Sequence, residues 1–204
     1  MIDRETDIAN VAADRPPLAA DEQLRRTLGG LLASAVPQFY SLVPLEKQRL
    51  HDLLGNSIGA RGSELQHALM AGAAPFPLGI ATWLPVSQLR SAQQVSTVML
   101  MRQIDRADMD EFRRAVAAYG EGVEPIDAEG TYCSRITVAA EARGQGIGRA
   151  LLHRLHSDGN HADVWLHVSA DNDRAIAVYR KAGFEFASET AYRSRAMVRR
   201  GSIV

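Results

Sequence analysis

The chain reads as a single α/β domain with extra helices ahead of its main run of strands, and three observations predict this. Its length of 204 residues suits one core with an appendage. Its composition, 46% hydrophobic and 23% charged, can fill such a core and excludes disordered and collagen-like classes. From Tyr132 onward, strand and helix patterns alternate as a β-loop-α-β unit followed by another helix and two strands.

Residues 1–20 are polar, alanine-rich and closed by Pro16 and Pro17, which predicts a loose arm; its acidic residues and lack of an apolar h-region do not fit a secretory signal. Residues 21–204 are expected to form the single domain. From Asp21, Leu24, Leu28, Leu31, Leu32 and Ala35 fall on one helical stripe that stops before Pro37. Pro44 suits the first turn of a second helix, whose Leu50, Leu53, Leu54 and Ile58 face one side until Gly59. Ser63 and Gln66 have capping-box spacing and predict a short third helix carrying Leu65 and Leu69.

Phe76 to Leu84, bounded by Pro75 and Pro85, reads as a buried strand. Ser91 to Ile104 fits either period, and Val95, Val98, Met99 and Arg102 favour a helix. Asp108 and Glu111 repeat the capping-box spacing, while Met109, Phe112, Val116 and Tyr119 recur at helical intervals, predicting an amphipathic helix over 106–119 ended by Gly120 and Gly122. The rest reads as a strand at Tyr132–Val138, a helix from Gly146 to about Asp158 and a strand at Val164–Val168. A helix at Asp171–Ala182, stopped by Gly183, and strands near Phe184–Ala187 and Tyr192–Val198 complete it.

Charge and cysteine content narrow the function. Lysine plus arginine number 23 against 24 acidic residues, a net charge of −1, so no overall basic field exists to hold a nucleic-acid backbone. No stretch approaches the roughly 20 apolar residues of a membrane span. The single Cys133 can form neither an intramolecular disulfide nor a multi-cysteine zinc site, and suits a reducing cytoplasm. On a strand it reads as a small apolar residue, not a nucleophile. His51, His67, His153, His156 and His161 show no shared ligand spacing with an acidic partner, so no metal is expected.

One segment carries chemistry. Arg143, Gly144, Gln145, Gly146, Ile147, Gly148 and Arg149 lie between a strand and a helix, where main-chain N–H groups and the positive end of the helix dipole converge on a spot suited to phosphate. The dinucleotide fingerprint fails because position 149 is arginine, and the Walker A lysine with serine or threonine is absent. A tight turn that binds nothing is the competing reading.

The run ITVAAEARGQGIGRALL, the strand WLHV and the run DNDRAIAVYRKAGF resemble the acyl-CoA signature of the GNAT superfamily of N-acetyltransferases over about residues 130–187. The resemblance implies a twisted mixed α/β sheet flanked by helices, in which the motif strand and the next parallel strand splay apart. Acetyl-CoA is implied as co-substrate, its pantetheine arm adding to an open strand edge. Ile136, Thr137 and Val138 fall where the family uses backbone groups for the acetyl carbonyl and pantetheine, and Arg143 to Arg149 match the pyrophosphate loop. Asn172 matches a cofactor-contacting asparagine, and Tyr179 matches the tyrosine that protonates the departing thiolate.

Acetyl transfer to an amine needs a neutral nucleophile, a held carbonyl and a protonated leaving sulfur. Tyr179 suits the last need, although Ile176 and Tyr179 share a helix face and the ring also suits core packing. His167 stands where some relatives acting on protein amino termini place a glutamate, and a neutral imidazole can serve as base. Because Val164, Leu166 and Val168 alternate against Trp165 and His167, His167 also suits a hydrogen-bonded place on one sheet face. Arg174, Arg180 and Lys181 read as a solvated helix face. The helices over 21–58 and 86–119 are expected to line the acceptor side, where their mixed charge favours no one class of amine, whether small molecule or peptide. A non-catalytic acyl-CoA-binding module on the same fold is the alternative, and a homodimer is a possible assembly.

Overall fold

The computed structural model describes residues 8–11, 21–158 and 162–201. A seven-stranded sheet, ordered β1-β2-β3-β4-β5-β7-β6, forms its centre. The strands are β1 Ile8–Val11, β2 His67–Ala71, β3 Gly79–Pro85, β4 Thr131–Val138, β5 Val164–Ser169, β6 Glu185–Phe186 and β7 Ser194–Arg199. Every neighbouring pair is antiparallel except β4 and β5, which run parallel. The helices are α1 Glu22–Ala35, α2 Pro37–Tyr40, α3 Lys47–Asn56, α4 Leu89–Met101, α5 Met109–Glu121, α6 Ile147–Asp158 and α7 Asp173–Lys181.

Two-residue alternation along the strands feeds two helical layers. Leu69, Ala81, Cys133, Leu166 and Met197 face α6 and pack with Ile147, Leu151, Leu152 and Leu155. Ala68 and Ile80 face the opposite layer, where Leu24, Leu28 and Leu32 of α1 meet Leu50 and Leu54 of α3, with Leu100 and Phe112 from α4 and α5 completing the cluster. The α1–α3 crossing is close because two glycines meet partner backbone. A Cβ on Gly29 would lie 1.9 Å from the His51 carbonyl oxygen, and one on Gly55 2.0 Å from that of Arg25.

Several expectations are corrected. The loose arm contains an edge strand at Ile8–Val11, paired antiparallel to β2; the rest of 1–20 lies outside the described residues, as does His161. Pro44 precedes α3 instead of opening it, since that helix starts at Lys47 with Glu46 as its cap. The predicted third helix is a turn followed by β2: Ser63 Oγ accepts from Leu65 N at 3.1 Å and Gln66 Oε1 from Gly62 N at 3.0 Å. These bonds stabilise a turn as well as they would a cap, and the apolar positions 68, 69 and 71 then fill both sheet faces. The strand expected from Phe76 begins at Gly79. Asp108 precedes α5 but makes no side-chain capping bond.

The α4–α5 pair is inserted between β3 and β4 in sequence, yet those strands are neighbours in the sheet. Thr82 pairs with Arg135 and Trp83 with Cys133, which leaves Ser134 as an extra residue, a bulge on β4.

Candidate active site

The β4–β5 pairing ends early. Thr131, Tyr132 and Cys133 pair with Val164, Trp165 and Leu166, while β4 continues to Val138 and β5 to Ser169 without further pairing between them. Beyond Cys133 the β5-facing edge of β4 therefore presents main-chain groups with no ladder partner, at the place where the bulge falls. A cavity of about 1130 Å³ opens there. Ala175 and Tyr179 of α7 pack with the α6-side cluster. They line the same cavity as Glu64, Tyr119, Arg135 and His167, so the space reaches through the gap between the diverging strands.

At the end of β4 the chain turns through Gly144 and Gly146, whose φ angles of +81° and +83° lie in the left-handed region that favours glycine. Among the described residues, a Cβ at either position would meet no atom within 4 Å beyond its chain neighbours, so both main chains border open space. Among the described residues no backbone amide from Gly144 to Arg149 has a partner in the chain; the next, that of Ala150, donates to the Gly146 carbonyl at 3.0 Å. The start of α6 thus offers a row of unpaired donors at the positive end of a helix dipole, which fits a phosphate group. Arg143 leads into this turn and Arg149 lies in the first turn of α6, and Arg143 Nε donates to the Val138 carbonyl at 3.3 Å.

The sequence-derived candidates divide in space. Asn172, Tyr179 and His167 line the cavity, whereas Ile136, Thr137, Val138 and Arg143 to Arg149 lie outside its lining. Ile136 and Val138 pack toward the α6 layer, and the Thr137 hydroxyl is 3.1 Å from that of Ser34 on α1. Asn172 has a structural duty, as its Oδ1 caps α7 by accepting from Ala175 N at 3.1 Å. The half-buried Tyr179 ring lies 6.0 Å from that of Phe184. Burial, with a smaller contribution from the Cys133 thiol, raises the Tyr179 pKa, so its hydroxyl stays protonated. Burial likewise pushes Cys133 up to about 12, which keeps it an inert thiol.

His167 is more constrained than sequence reasoning foresaw. Its Nε2 lies 2.7 Å from the Glu124 carbonyl oxygen and its Nδ1 2.8 Å from the Tyr132 hydroxyl. A carbonyl can only accept, so Nε2 carries the proton and Nδ1 accepts from Tyr132. Both ring nitrogens are thus engaged, which is the hydrogen-bonded place on one sheet face that the alternation along β5 allows. Glu124 is itself fixed, since its carboxylate accepts from Ala196 N at 2.8 Å and Ser188 Oγ at 2.5 Å, and its amide donates to the Ser194 carbonyl.

A buried ion pair also lies in the cavity wall, unanticipated from the sequence. The guanidinium of Arg135 faces the Glu64 carboxylate through two contacts of 3.4 Å, Nη1 to Oε1 and Nη2 to Oε2. Nη1 also donates to the Ser134 carbonyl at 2.6 Å and Nε to the Tyr40 hydroxyl at 3.3 Å. Burial opposes the Arg135 charge, but Glu64 and Tyr40 hold its pKa above the ordinary guanidinium value. The bulge explains the placement: Ser134 Oγ reaches the Glu64 carbonyl at 2.6 Å, so two successive residues of β4 address the same turn. Only the pairing of residues 71 positions apart in the chain reveals this.

A parallel strand pair that separates beside a turn of unpaired amides is the arrangement that the resemblance to GNAT acetyltransferases implies. Residues 103–184 match the model of the Acetyltransferase (GNAT) family, and over this segment the chain is similar to that family. The fold agrees: an N-acetyltransferase from Staphylococcus aureus superposes with a TM-score of 0.67 at 18% identity, over 88% of this chain and 97% of that one. In sequence the chain is 47% identical over 58 residues to a mycothiol acetyltransferase of Mycolicibacterium vanbaalenii, covering 24% of this chain and 19% of that protein. It is 46% identical over 43 residues to the N-alpha-acetyltransferase RimI of Mycobacterium tuberculosis, 21% of this chain and 27% of that one. The matched segment spans about a fifth of the mycothiol acetyltransferases, 19% and 22% in two of them. No described helix is long and apolar enough to cross a membrane.

Proposed function

We propose that the chain transfers an acetyl group from acetyl-CoA directly to a primary amine of a small molecule or peptide. The observation that carries the reading is the β4–β5 separation opening beside the unpaired amides of Gly144 to Arg149, with Tyr179 in the gap. Bound there, acetyl-CoA would supply the thioester acyl group. The amides of 144–149 and the side chains of Arg143 and Arg149 bind the pyrophosphate; the backbone of Ile136, Thr137 and Val138 holds pantetheine and the acetyl carbonyl; Asn172 contacts the cofactor through the amide nitrogen its cap leaves unused. Tyr179 gives its hydroxyl proton to the leaving sulfur. His167 removes the amine proton through Tyr132: the Tyr132 hydroxyl passes its proton to Nδ1 as its oxygen takes one from the nitrogen, and the Glu124 carbonyl stabilises the resulting imidazolium.

The direct test mixes the protein with acetyl-CoA and a panel of amines and follows free thiol. Thermal stabilisation by acetyl-CoA with no thiol release from any amine would support a non-catalytic acyl-CoA-binding module instead. Gly146→Val should raise the calorimetric Kd for coenzyme A by at least about tenfold, or 1.4 kcal/mol, because a branched side chain fills the space its backbone now borders and strains a left-handed residue. A Kd within twofold of wild type would sink the loop assignment.

His167 makes a pH prediction. Burial lowers its pKa below the ordinary 6.5, with the Glu124 carbonyl working against that shift. The unfolded chain therefore takes up this proton before the folded chain does, and the His167 contribution to stability, complete above pH 6.5, is lost as pH falls toward the lower folded value. His167→Gln should flatten the acidic fall of both Tm and kcat/KM. A kcat/KM limb unchanged in the variant would remove His167 from proton transfer.

A further inference from the structure

Resting on the acetyltransferase reading, we propose that Glu64 is the acceptor-binding carboxylate: it receives the ammonium group of a primary amine whose apolar or aromatic body lies against Phe39 and Tyr119. The arrangement begins with hydrogen-bond capacity. Arg135 has five N–H donors, and Tyr40, Ser134 and the two oxygens of Glu64 occupy four of them, so this arginine is committed to the protein. Glu64 is not. Its two oxygens offer about four acceptor positions, of which Arg135 takes two. What remains is a carboxylate oriented by a fork of two bonds, in the wall of a cavity, able to accept from a donor that enters.

Arg135 stands two residues beyond Cys133, the last β4 residue paired with β5, so the carboxylate it holds lies where the two strands begin to separate. The cavity wall beside Glu64 is aromatic. Phe39 sets its ring edge-on to both Tyr40 and Tyr119, at centroid distances of 5.3 Å, and all three side chains line the cavity with Glu64. The Arg135 guanidinium already lies over the Tyr40 ring, 5.6 Å from its centroid, so Phe39 and Tyr119 are the rings left for the ligand, and aromatic rings beside one carboxylate favour an alkylammonium over a neutral or anionic group. The amine binds as its cation at Glu64 and releases one proton to solvent to become the neutral nucleophile; the second proton, shed by its nitrogen as the amide forms, passes to the Tyr132 oxygen and so to His167. Glu64 is thus a positioning and specificity residue.

The probes are phenethylamine and 2-phenylethanol, which share a body and differ in ammonium against hydroxyl. Calorimetry on the full chain should show wild type preferring phenethylamine by at least about tenfold, and Glu64→Gln reducing that preference to less than about threefold while the Kd for coenzyme A is unchanged. In turnover, Glu64→Gln should raise the KM for phenethylamine at least about tenfold with a smaller change in kcat, and Glu64→Asp should restore part of it. Should Glu64→Gln fail to fold because Arg135 is left buried without its partner, the double variant E64Q/R135Q, which removes both charges, is expected to fold and show the same loss of preference. Either variant keeping the wild-type preference would overturn the proposal, as would a wild type that binds the two probes equally. Binding preference without thiol release would leave Glu64 in place and remove the acetyl-transfer reading.

Discussion

Tyr179→Phe is expected to lower kcat by about 10²- to 10⁴-fold, the usual contribution of a positioned acid, while changing the KM for acetyl-CoA by less than about threefold. The substitution removes one oxygen and leaves the ring against Phe184 and the α6-side cluster, so the packing role stays and the proton is lost. Its raised pKa makes the hydroxyl a reluctant acid in the ground state, and the departing thiolate provides the driving force. Because the two roles separate in this one variant, stopped-flow thiol release and Tm measured together decide between them. Full turnover in the variant would make Tyr179 a core residue that happens to border the cavity.

The second large effect is on stability. Gly29→Ala should destabilise the chain by about 3 kcal/mol or more and lower Tm by roughly 6 to 12 °C, despite alanine being the better helix former by about 1 kcal/mol. The added methyl would stand 1.9 Å from the His51 carbonyl oxygen of α3, a backbone atom that can yield only if two helices move apart. Separating them disturbs the wall that α1 and α2 build over the cavity, including the Ser34–Thr137 contact. Gly120→Ala is the matched control, since a Cβ there meets nothing within 4 Å, and it should leave stability unchanged or raise it by about 0.5 to 1 kcal/mol. A Gly29→Ala melting temperature equal to that of Gly120→Ala would show that the α1–α3 contact is not close in solution.

Periodicity was enough to find α1 and α5 to α7, because in each a single apolar face must be buried and the 3.6-residue repeat records it, whereas the α4 segment fitted either period. It failed at Ser63 to Ala71. There a turn and a short strand buried on both faces place apolar residues at positions 65, 68, 69 and 71, and the 65 and 69 pair alone mimics a helix. The edge strand Ile8–Val11 was missed for a related reason: four residues carry too little pattern, and pairing with β2 supplies what local preference does not.

By itself the sequence determined the order of most elements, the glycine turn from 143 to 149 and the place of Tyr179 on the helix after β5, because each is a local matter of backbone freedom or helical spacing. Tertiary structure alone decided that β3 lies beside β4 across two inserted helices, that β4 parts from β5 after Cys133, and that a bulge at Ser134 carries Arg135 to Glu64. It also decided that His167 is held at both ring nitrogens by Tyr132 and Glu124. Those contacts join residues tens of positions apart, and their energy exists only once the chain has closed, so no local pattern in the sequence encodes them.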